Sequence, residues 1–398
     1  IGKILAGGAV GVAAAVTAVV VLAGGGDKPS EATAANETTT TEVDGPATTA
    51  AGTGPTTTAA SIVPTTTPGA TGRGLTGVVE VVAGNGSDDA AGRPGPAGEA
   101  SLGSAIGGRS TFGVGANGDV FTVSGGAIVL LVHDGAISEL YFGGDGEFAF
   151  GGVAVGPDGA AYVTMSTGVK RITADGSSEL LVDAVALGLG DQFGSIAFDG
   201  VGNLYFVAED TGRVIRRGVD GSLSHVAGAE GSAVSGGPPV GDGGPAIAAP
   251  LNAPVALAVD RDGNLLIADT GQSVVRSVAP DGTISTIAGG GDVPMFDNGF
   301  APDGTAATDL QIGVLTGVAV DDAGRVYVAD GNHHAIVRFE PGGGIELVVA
   351  DQAGVVEANG RPANQTRVRN VGGLGFDAAG DLYFYDSNVI RRIVGAAG

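Results

Sequence analysis

Cysteine and tryptophan are absent from this 398-residue chain, which has two methionines and only 16% charged residues. Without cysteine the chain can form no disulfide, cysteine-ligated zinc site, iron–sulfur cluster or thiol nucleophile. Basic residues are also scarce, 19 against 43 acidic ones, which gives a net charge of −24. A body this acidic repels phosphate backbones, so the composition argues against nucleic acid as a partner.

Glycine is abundant and accounts for 75 of the 398 residues. No Gly-X-Y period runs through the chain, which excludes collagen. A helical bundle is disfavoured because each glycine inside a helix costs about 1 kcal/mol. Glycine among apolar and β-branched residues instead predicts many tight turns between short strands.

The N-terminal stretch at residues 4–26 contains no charged residue. As a helix it would span about 34 Å, enough to cross a bilayer core of about 30 Å. Lys3 precedes it, which predicts a cytoplasmic start and an exported remainder. We therefore predict a transmembrane helix or signal anchor at residues 1–26, with a cleaved signal peptide as the alternative.

A second segment, residues 27–76, is rich in threonine, alanine, proline and glycine. Few of its residues can contribute to a hydrophobic core, so the composition predicts a disordered, extended linker. Such a linker would hold the following domain away from the membrane.

Residues 77–398 contain one phrase six times: an apolar strand, a short turn with glycine, and a second apolar strand. A tight hairpin turn favours glycine because it requires a positive φ. A third strand, several times ending in an apolar residue and arginine, and a fourth strand follow. Four antiparallel strands in each of six units predict an all-β, six-bladed propeller. The turn glycines are Gly118, Gly159, Gly202, Gly263, Gly324 and Gly380.

The two ends of this region complement each other. The sixth unit stops after its third strand, whereas residues 77–84 resemble the fourth strands of other units. We therefore predict that strand 77–84 completes the last blade and closes the ring, which also removes exposed strand edges.

The phrase from Gly241 to Gly271 resembles an NHL repeat. It contains Gly-Asp-Gly-Gly-Pro-Ala at 241–246, Leu-Asn-x-Pro at 251–254, and Ala-Asp-Thr-Gly at 268–271. The resemblance covers residues 77–398 and implies an NHL-type propeller, for which the lack of tryptophan is also more typical than for WD40 blades. A membrane helix, a linker and such a propeller together resemble the exported sensor domain of bacterial receptor-like Ser/Thr kinases. The chain has no kinase motif, so a kinase part would have to precede Ile1.

Several sequence features have both a chemical and a structural interpretation. Residues 260–264 (Asp-Arg-Asp-Gly-Asn) begin like a calcium loop but are interpreted as a turn, because apolar strand residues follow at once. An aspartate closing the second strand recurs with an arginine in the third strand. Recurrence in several blades favours structural pairs over a catalytic site. The pairs are Asp269 with Arg276, Asp330 with Arg338, and Asp386 with Arg391.

Lactonase-type propellers, which this chain resembles more distantly, carry acidic and amide ligands just before the innermost strands. The matching positions here are small and mostly without ligand atoms. The four histidines are predicted to be structural or at the surface, since a metal site needs several that converge. The sequence therefore predicts no metal site, no catalytic residue and no cofactor. The matching positions are 151–152, 194–195, 254–256, 316–317 and 372–373.

Four long connections link fourth strands to the next first strands, and we predict that they build up one face of the disc. Loops on a rigid scaffold are where binding residues usually lie. The candidate binding residues, on the loop-rich face, are Asp242, Asn252, Asp297, Asn298, Asp303, Asn364 and Asn370.

The sequence thus predicts a single-pass protein of the cell membrane, anchored through residues 4–26, with its propeller on the extracytoplasmic side. The expected function is binding of an extracellular ligand or protein, in sensing or adhesion. The alternatives are a propeller enzyme of lactonase or lyase type and a purely structural spacer.

Overall fold

The computed structural model describes residues 77–397, except 88, 90, 104–111, 145, 146, 191, 230–238, 297–300, 302, 303 and 351–359. The predicted membrane helix and linker lie outside the described residues. Within the described part of the chain, no helix is long and apolar enough to cross a bilayer.

Short strands make up most of the fold. In the first half these are β1 Val78–Ala83, β2 Gly95–Pro96, β3 Phe112–Val114, β4 Val120–Ser124, β5 Ile128–His133, β6 Ala136–Phe142, β7 Ala149–Val155, β8 Ala161–Met165, β9 Gly168–Ile172, β10 Ser178–Asp183, β11 Phe193–Phe198, β12 Leu204–Ala208, β13 Arg213–Arg217 and β14 Leu223–Ala227.

In the second half the strands are β15 Pro254–Val259, β16 Leu265–Asp269, β17 Val274–Val278, β18 Ile284–Gly289, β19 Val293–Pro294, β20 Leu310–Gln311, β21 Leu315–Val320, β22 Val326–Asp330, β23 Ala335–Phe339, β24 Ile345–Ala350, β25 Arg361–Pro362, β26 Val371–Phe376, β27 Leu382–Asp386 and β28 Val389–Ile393. Among the described residues, the helical elements are one α-helix, α1 Ala184–Leu187, and 3-10 turns at Glu209–Thr211, Ala246–Ala248, Thr270–Gln272, Ala307–Asp309 and Ala363–Gln365.

Six antiparallel sheets form the six predicted blades. Blade 1 is built on β3–β6, blade 2 on β7–β10, blade 3 on β11–β14, blade 4 on β15–β18, blade 5 on β21–β24, and blade 6 on β26–β28 with β1. The six predicted turn glycines all have positive φ, between 76° and 92°. The all-β, six-bladed architecture predicted from the repeat is therefore confirmed.

The ring is closed at two levels. Each first strand lies against the first strand of the next blade, and β26 of blade 6 returns to β3 of blade 1. At the periphery β1 pairs antiparallel with β28, with Val79 opposite Ile393. This is the pairing that the sequence predicted for strand 77–84.

The alternation of strand direction defines two faces. The upper face carries the hairpins between second and third strands and the connections between blades. The lower face carries the other two turns of each blade. Apolar clusters lie between adjacent blades rather than at the ring centre, so blade-to-blade packing supplies most of the hydrophobic stabilisation.

Candidate functional site

The entrance of the central channel is built from the upper ends of the first strands. Hydroxyl groups there join neighbouring blades: Thr164 Oγ1 donates to the carbonyl of Gly194 at 3.1 Å, and Thr316 Oγ1 to that of Val371 at 2.8 Å. Ser195 Oγ accepts from the Leu257 N–H at 3.0 Å. These hydroxyls serve the fold. Within the described residues, no three His, Cys, Asp or Glu side chains are placed to hold a metal ion.

Asp242, a predicted binding residue, anchors the connection into blade 4. Its Oδ1 lies 2.6 Å from Nη2 of Arg276, whose side chain is fully buried, and its Oδ2 accepts the Thr286 N–H at 3.0 Å. A buried guanidinium without a carboxylate is costly, so this contact ties the connection to the outer half of the blade.

Asn252 and Asn370 each donate a backbone N–H to the aspartate at the end of the second strand of their blade. The Asn252 N–H donates to Asp269 at 2.8 Å, and the Asn370 N–H to Asp386 at 3.3 Å. Asn364 is exposed in a 3-10 turn of the connection into blade 6. The structure thus distributes these residues over two blades and places none of them in a shared cleft.

The other predicted binding residues, Asp297, Asn298 and Asp303, lie outside the described residues.

The aspartates at the ends of the second strands are buried, and their carboxylates accept backbone N–H groups of the connections between blades. Asp330 accepts the N–H of Gly313 at 2.6 Å and lies 2.8 Å from Nδ1 of His333. Burial raises the pKa of Asp269 to about 6, although hydrogen bonds from Asn252 and Gln272 act in the opposite direction. These carboxylates hold the connections in place.

The predicted aspartate–arginine pairs occur in one blade of three. Arg391 Nε lies 2.9 Å from Oδ2 of Asp386. In the other two blades the direct ion pair of the arginine is with a different carboxylate, although the charge of Arg276 still acts to lower the pKa of Asp269. Arg276 pairs with Asp242, and Arg338 Nε donates to Glu346 at 2.9 Å. Residues 260–264 form the predicted turn, in which Asp260 accepts from the backbone of Asp262 and Asn264.

The long connections do not lie wholly on the upper face, where the sequence analysis placed them. Their described middle parts run along the outer strands instead, as β2 does on β6 and β25 on β1. Burying small residues between blades removes more apolar surface from water than standing above the disc would.

An apolar patch that the sequence analysis missed lies on the upper face of blades 1 and 2. We call it the rim patch; its residues are Phe142, Phe148, Val185 and Leu187, between 48% and 77% exposed. These residues stand where the connections into blades 2 and 3 are short. The signal available in the sequence was the occurrence of large apolar residues in short connections.

Backbone hydrogen bonds connect the chain segments that carry the rim patch. Gly143 and Ala149, which flank its two phenylalanines, donate to the neighbouring carbonyls of Ala127 and Gly126 in blade 1. On the other side, the carbonyl of Phe148 accepts from Ser166 at 2.7 Å. The next hairpin residue, Thr167, accepts from Ala184 at 3.0 Å, and Ala184 precedes Val185. The patch therefore straddles one blade hairpin.

The chain around the rim patch is acidic. Residues 134–212 contain twelve acidic and two basic residues, although four of the acidic residues, Asp134, Asp158, Asp175 and Asp199, lie in turns of the lower face. Both basic side chains are paired: Lys170 Nζ lies 2.6 Å from Glu147, and Arg171 Nε lies 2.6 Å from Asp158. The Lys170 ammonium holds the pKa of Glu147 below its usual range. An apolar surface in such surroundings favours a partner with apolar and cationic groups.

Comparison with protein families gives two matches. Residues 144–295 match the teneurin NHL domain, and residues 315–339 match the NHL repeat. A search of curated proteins found no match to the chain.

Solved structures share the fold at low sequence identity. A Bacteroides thetaiotaomicron protein of unknown function superposes with a TM-score of 0.59 at 19% identity, over 80% of this chain and 75% of that one. An auxiliary nutrient binding protein from the same organism gives 0.56 at 13%, over 79% and 76%. Virginiamycin B lyase from Staphylococcus aureus gives 0.44 at 14%, over 71% and 79%. At these identities the likeness extends to the fold alone.

Proposed function

Taking a six-bladed propeller of NHL repeats as the starting point, we propose that the chain is a membrane-anchored extracytoplasmic binding module that acts in sensing or adhesion. The uncharged stretch at residues 4–26 supports the anchor, and Lys3 before it supports the exported orientation. The rim patch, on an acidic part of the chain, carries the binding part of the proposal, since several large apolar residues exposed on one face favour an interaction site.

The ligand class follows from the surface. A nucleic acid or an anionic membrane would be repelled by the acidic body. A polypeptide that presents aliphatic or aromatic side chains beside lysine or arginine fits both the apolar residues and the charge. No observation on the described residues favours the enzyme alternative.

Binding can be tested with a probe peptide of alternating leucine and lysine pairs, titrated into the 398-residue chain. We expect the double variant Phe148→Ser, Val185→Ser to bind it at least about tenfold more weakly, from the loss of two apolar contacts. The matched control is Val201→Ser, Val394→Ser, which removes two exposed valines from the lower face. Equal loss in both variants would contradict a site on the rim.

The anchored orientation requires a separate test. Protease added to intact cells should cleave a site inserted at the exposed lower turn near Gly221, and should leave a tag fused before Ile1 intact. Protection of the inserted site would contradict the exported orientation and would leave the binding result unaffected.

A further inference from the structure

Four of the six blades have an outer strand that is extended by a piece of the incoming connection. We call these pieces wedges; they are residues 95–100, 244–249, 305–310 and 361–366. Gly95 pairs with Ile137 in blade 1, and Arg361 pairs with Val79 in blade 6. In blade 4 Ile284 donates to the carbonyl of Gly244 at 3.0 Å, and in blade 5 Ile345 donates to that of Thr305 at 2.9 Å.

The wedges share a sequence and a mode of packing. Each places an alanine directly after the paired dipeptide and a second small or aliphatic residue three positions later, all buried. The blade 4 wedge packs its alanines against Val207, Val214 and Ala227 of blade 3. A wedge therefore adds a short strand and fills the groove between two blades. The buried wedge residues are Ala97 and Ala100, Ala246 and Ala249, Ala307 and Leu310, and Ala363 and Thr366.

One residue of each outer strand receives the wedge. It stands opposite the third-strand residue that pairs with the first residue of the second strand, and it is aliphatic and at most 1% exposed in every wedge-bearing blade. These receiving residues are Val79, Ile137, Ile284 and Ile345.

Blades 2 and 3 have no wedge in the described sheets, and their receiving positions differ. In blade 2 the position is Ser178, opposite Ile172, and is exposed. In blade 3 it is Leu223, opposite Arg217, and is 39% exposed. Blade 2 thus has a polar residue at the receiving position, whereas blade 3 has an aliphatic residue there that no described wedge covers.

The groove beside Leu223 has the features of a vacant wedge position. The receiving residues of the other blades belong to the inter-blade clusters, whereas the cluster between blades 2 and 3 does not contain Leu223. Val219, 69% exposed, extends the apolar surface at the lower end. A Cβ on Gly202 would touch both Val219 and Pro157 of blade 2, which places Val219 at the same groove.

We infer that the outer edge of blade 3, at Leu223, is a docking site for a wedge-like segment of another polypeptide. That segment would be extended, would carry Pro-Ala or Ala-Ala, and would have a small or aliphatic residue three positions after the alanine that follows the paired dipeptide. It would pair its backbone with β14 and bury its alanine against Leu223. Strand addition to an open sheet edge is a general mode of peptide recognition, and this fold uses it internally four times. The inference does not depend on the rim patch.

The test uses a synthetic peptide with the sequence of residues 241–252, titrated into the 398-residue chain to about 5 mM. We expect it to protect the amides of residues 222–226 from hydrogen exchange. Leu223→Ser, which copies blade 2, should weaken binding at least about tenfold, whereas Leu223→Ile, which copies blades 1, 4 and 5, should retain it. A peptide N-methylated at the glycine and alanine expected to pair should not bind.

Two further variants keep the outcomes distinct. Phe148→Ser should leave peptide binding unchanged, so that a failure here and a failure of the rim proposal are separable. A chain in which residues 187–192 are replaced by residues 239–253 supplies its own wedge to blade 3 and should no longer bind the peptide. Absence of any exchange protection in the unmodified chain, or equal binding by Leu223→Ser, overturns the inference.

Discussion

Blades 1, 4, 5 and 6 differ from blades 2 and 3 in how their inter-blade grooves are completed. The first four use a long connection whose wedge covers an aliphatic residue, whereas the other two use short connections. Of the thirteen large apolar side chains that are exposed in the described residues, eight lie between 142 and 223. The length of the incoming connection therefore distinguishes the blades in which a wedge covers the outer strand from the blades in which apolar residues stay exposed to water.

The largest effect that tests this comparison is expected from Asp242→Ala, which removes the ion pair between Arg276 and the connection that carries the blade 4 wedge. Because the Arg276 side chain is fully buried, losing its carboxylate should lower the free energy of unfolding by about 3 kcal/mol. Denaturant unfolding measures it. The control is Glu80→Ala, which breaks the half-exposed pair with Arg392 and should cost at most about 1 kcal/mol.

A second prediction compares equivalent residues with and without a wedge. Ile284→Ala should lower the unfolding free energy by about 3 kcal/mol, since it opens a cavity under the blade 4 wedge. Leu223→Ala should cost about 1 kcal/mol or less, because its side chain is already partly in water. Equal losses would mean that the wedge does not complete the groove.

A third prediction concerns the pH dependence of the wedge-bearing half. The pKa of Asp269, about 6 in the folded chain, lies above its unfolded value, so the folded state binds the extra proton. Its contribution to stability is present at low pH and is lost as the pH rises through about 4 to 6. Between about pH 7 and pH 5, wild type should gain about 1 kcal/mol over Asp269→Asn. A constant gap between the two unfolding curves would refute this.

The smallest effect is expected from the unwedged half. Phe148→Ser at the rim patch should change the unfolding free energy by no more than about 0.5 kcal/mol, because an exposed side chain contributes little packing. Thermal unfolding measures this. A loss comparable to that of Ile284→Ala would show that the rim residue supports the fold.

Local features made the architecture predictable. The turn positions of Gly263 and its five equivalents require a positive φ, which glycine adopts without strain because it has no Cβ, and the apolar strands on either side fix the hairpins. The match between residues 77–84 and other fourth strands was sufficient to indicate how the ring closes. The anchor at residues 4–26 and the linker at 27–76 remain predictions.

The candidate site was much less predictable. The partner of Arg276 depends on which carboxylate the preceding connection brings to it, and Asp242 lies 34 residues away. Likewise, exposure of Leu223 depends on a connection that is too short to cover it, while Ile284 in the same pattern is buried. Both are properties of neighbouring blades rather than of one strand.

The sequence by itself determined the number of blades, their turns and the closing strand, because these follow from a repeated pattern of apolar strands and glycine turns. Tertiary structure decided which carboxylates neutralise the buried arginines, which connections become wedges, and which apolar residues remain in water. The reason is that burial and ion pairing depend on chain segments from adjacent blades, which meet only when the ring has closed.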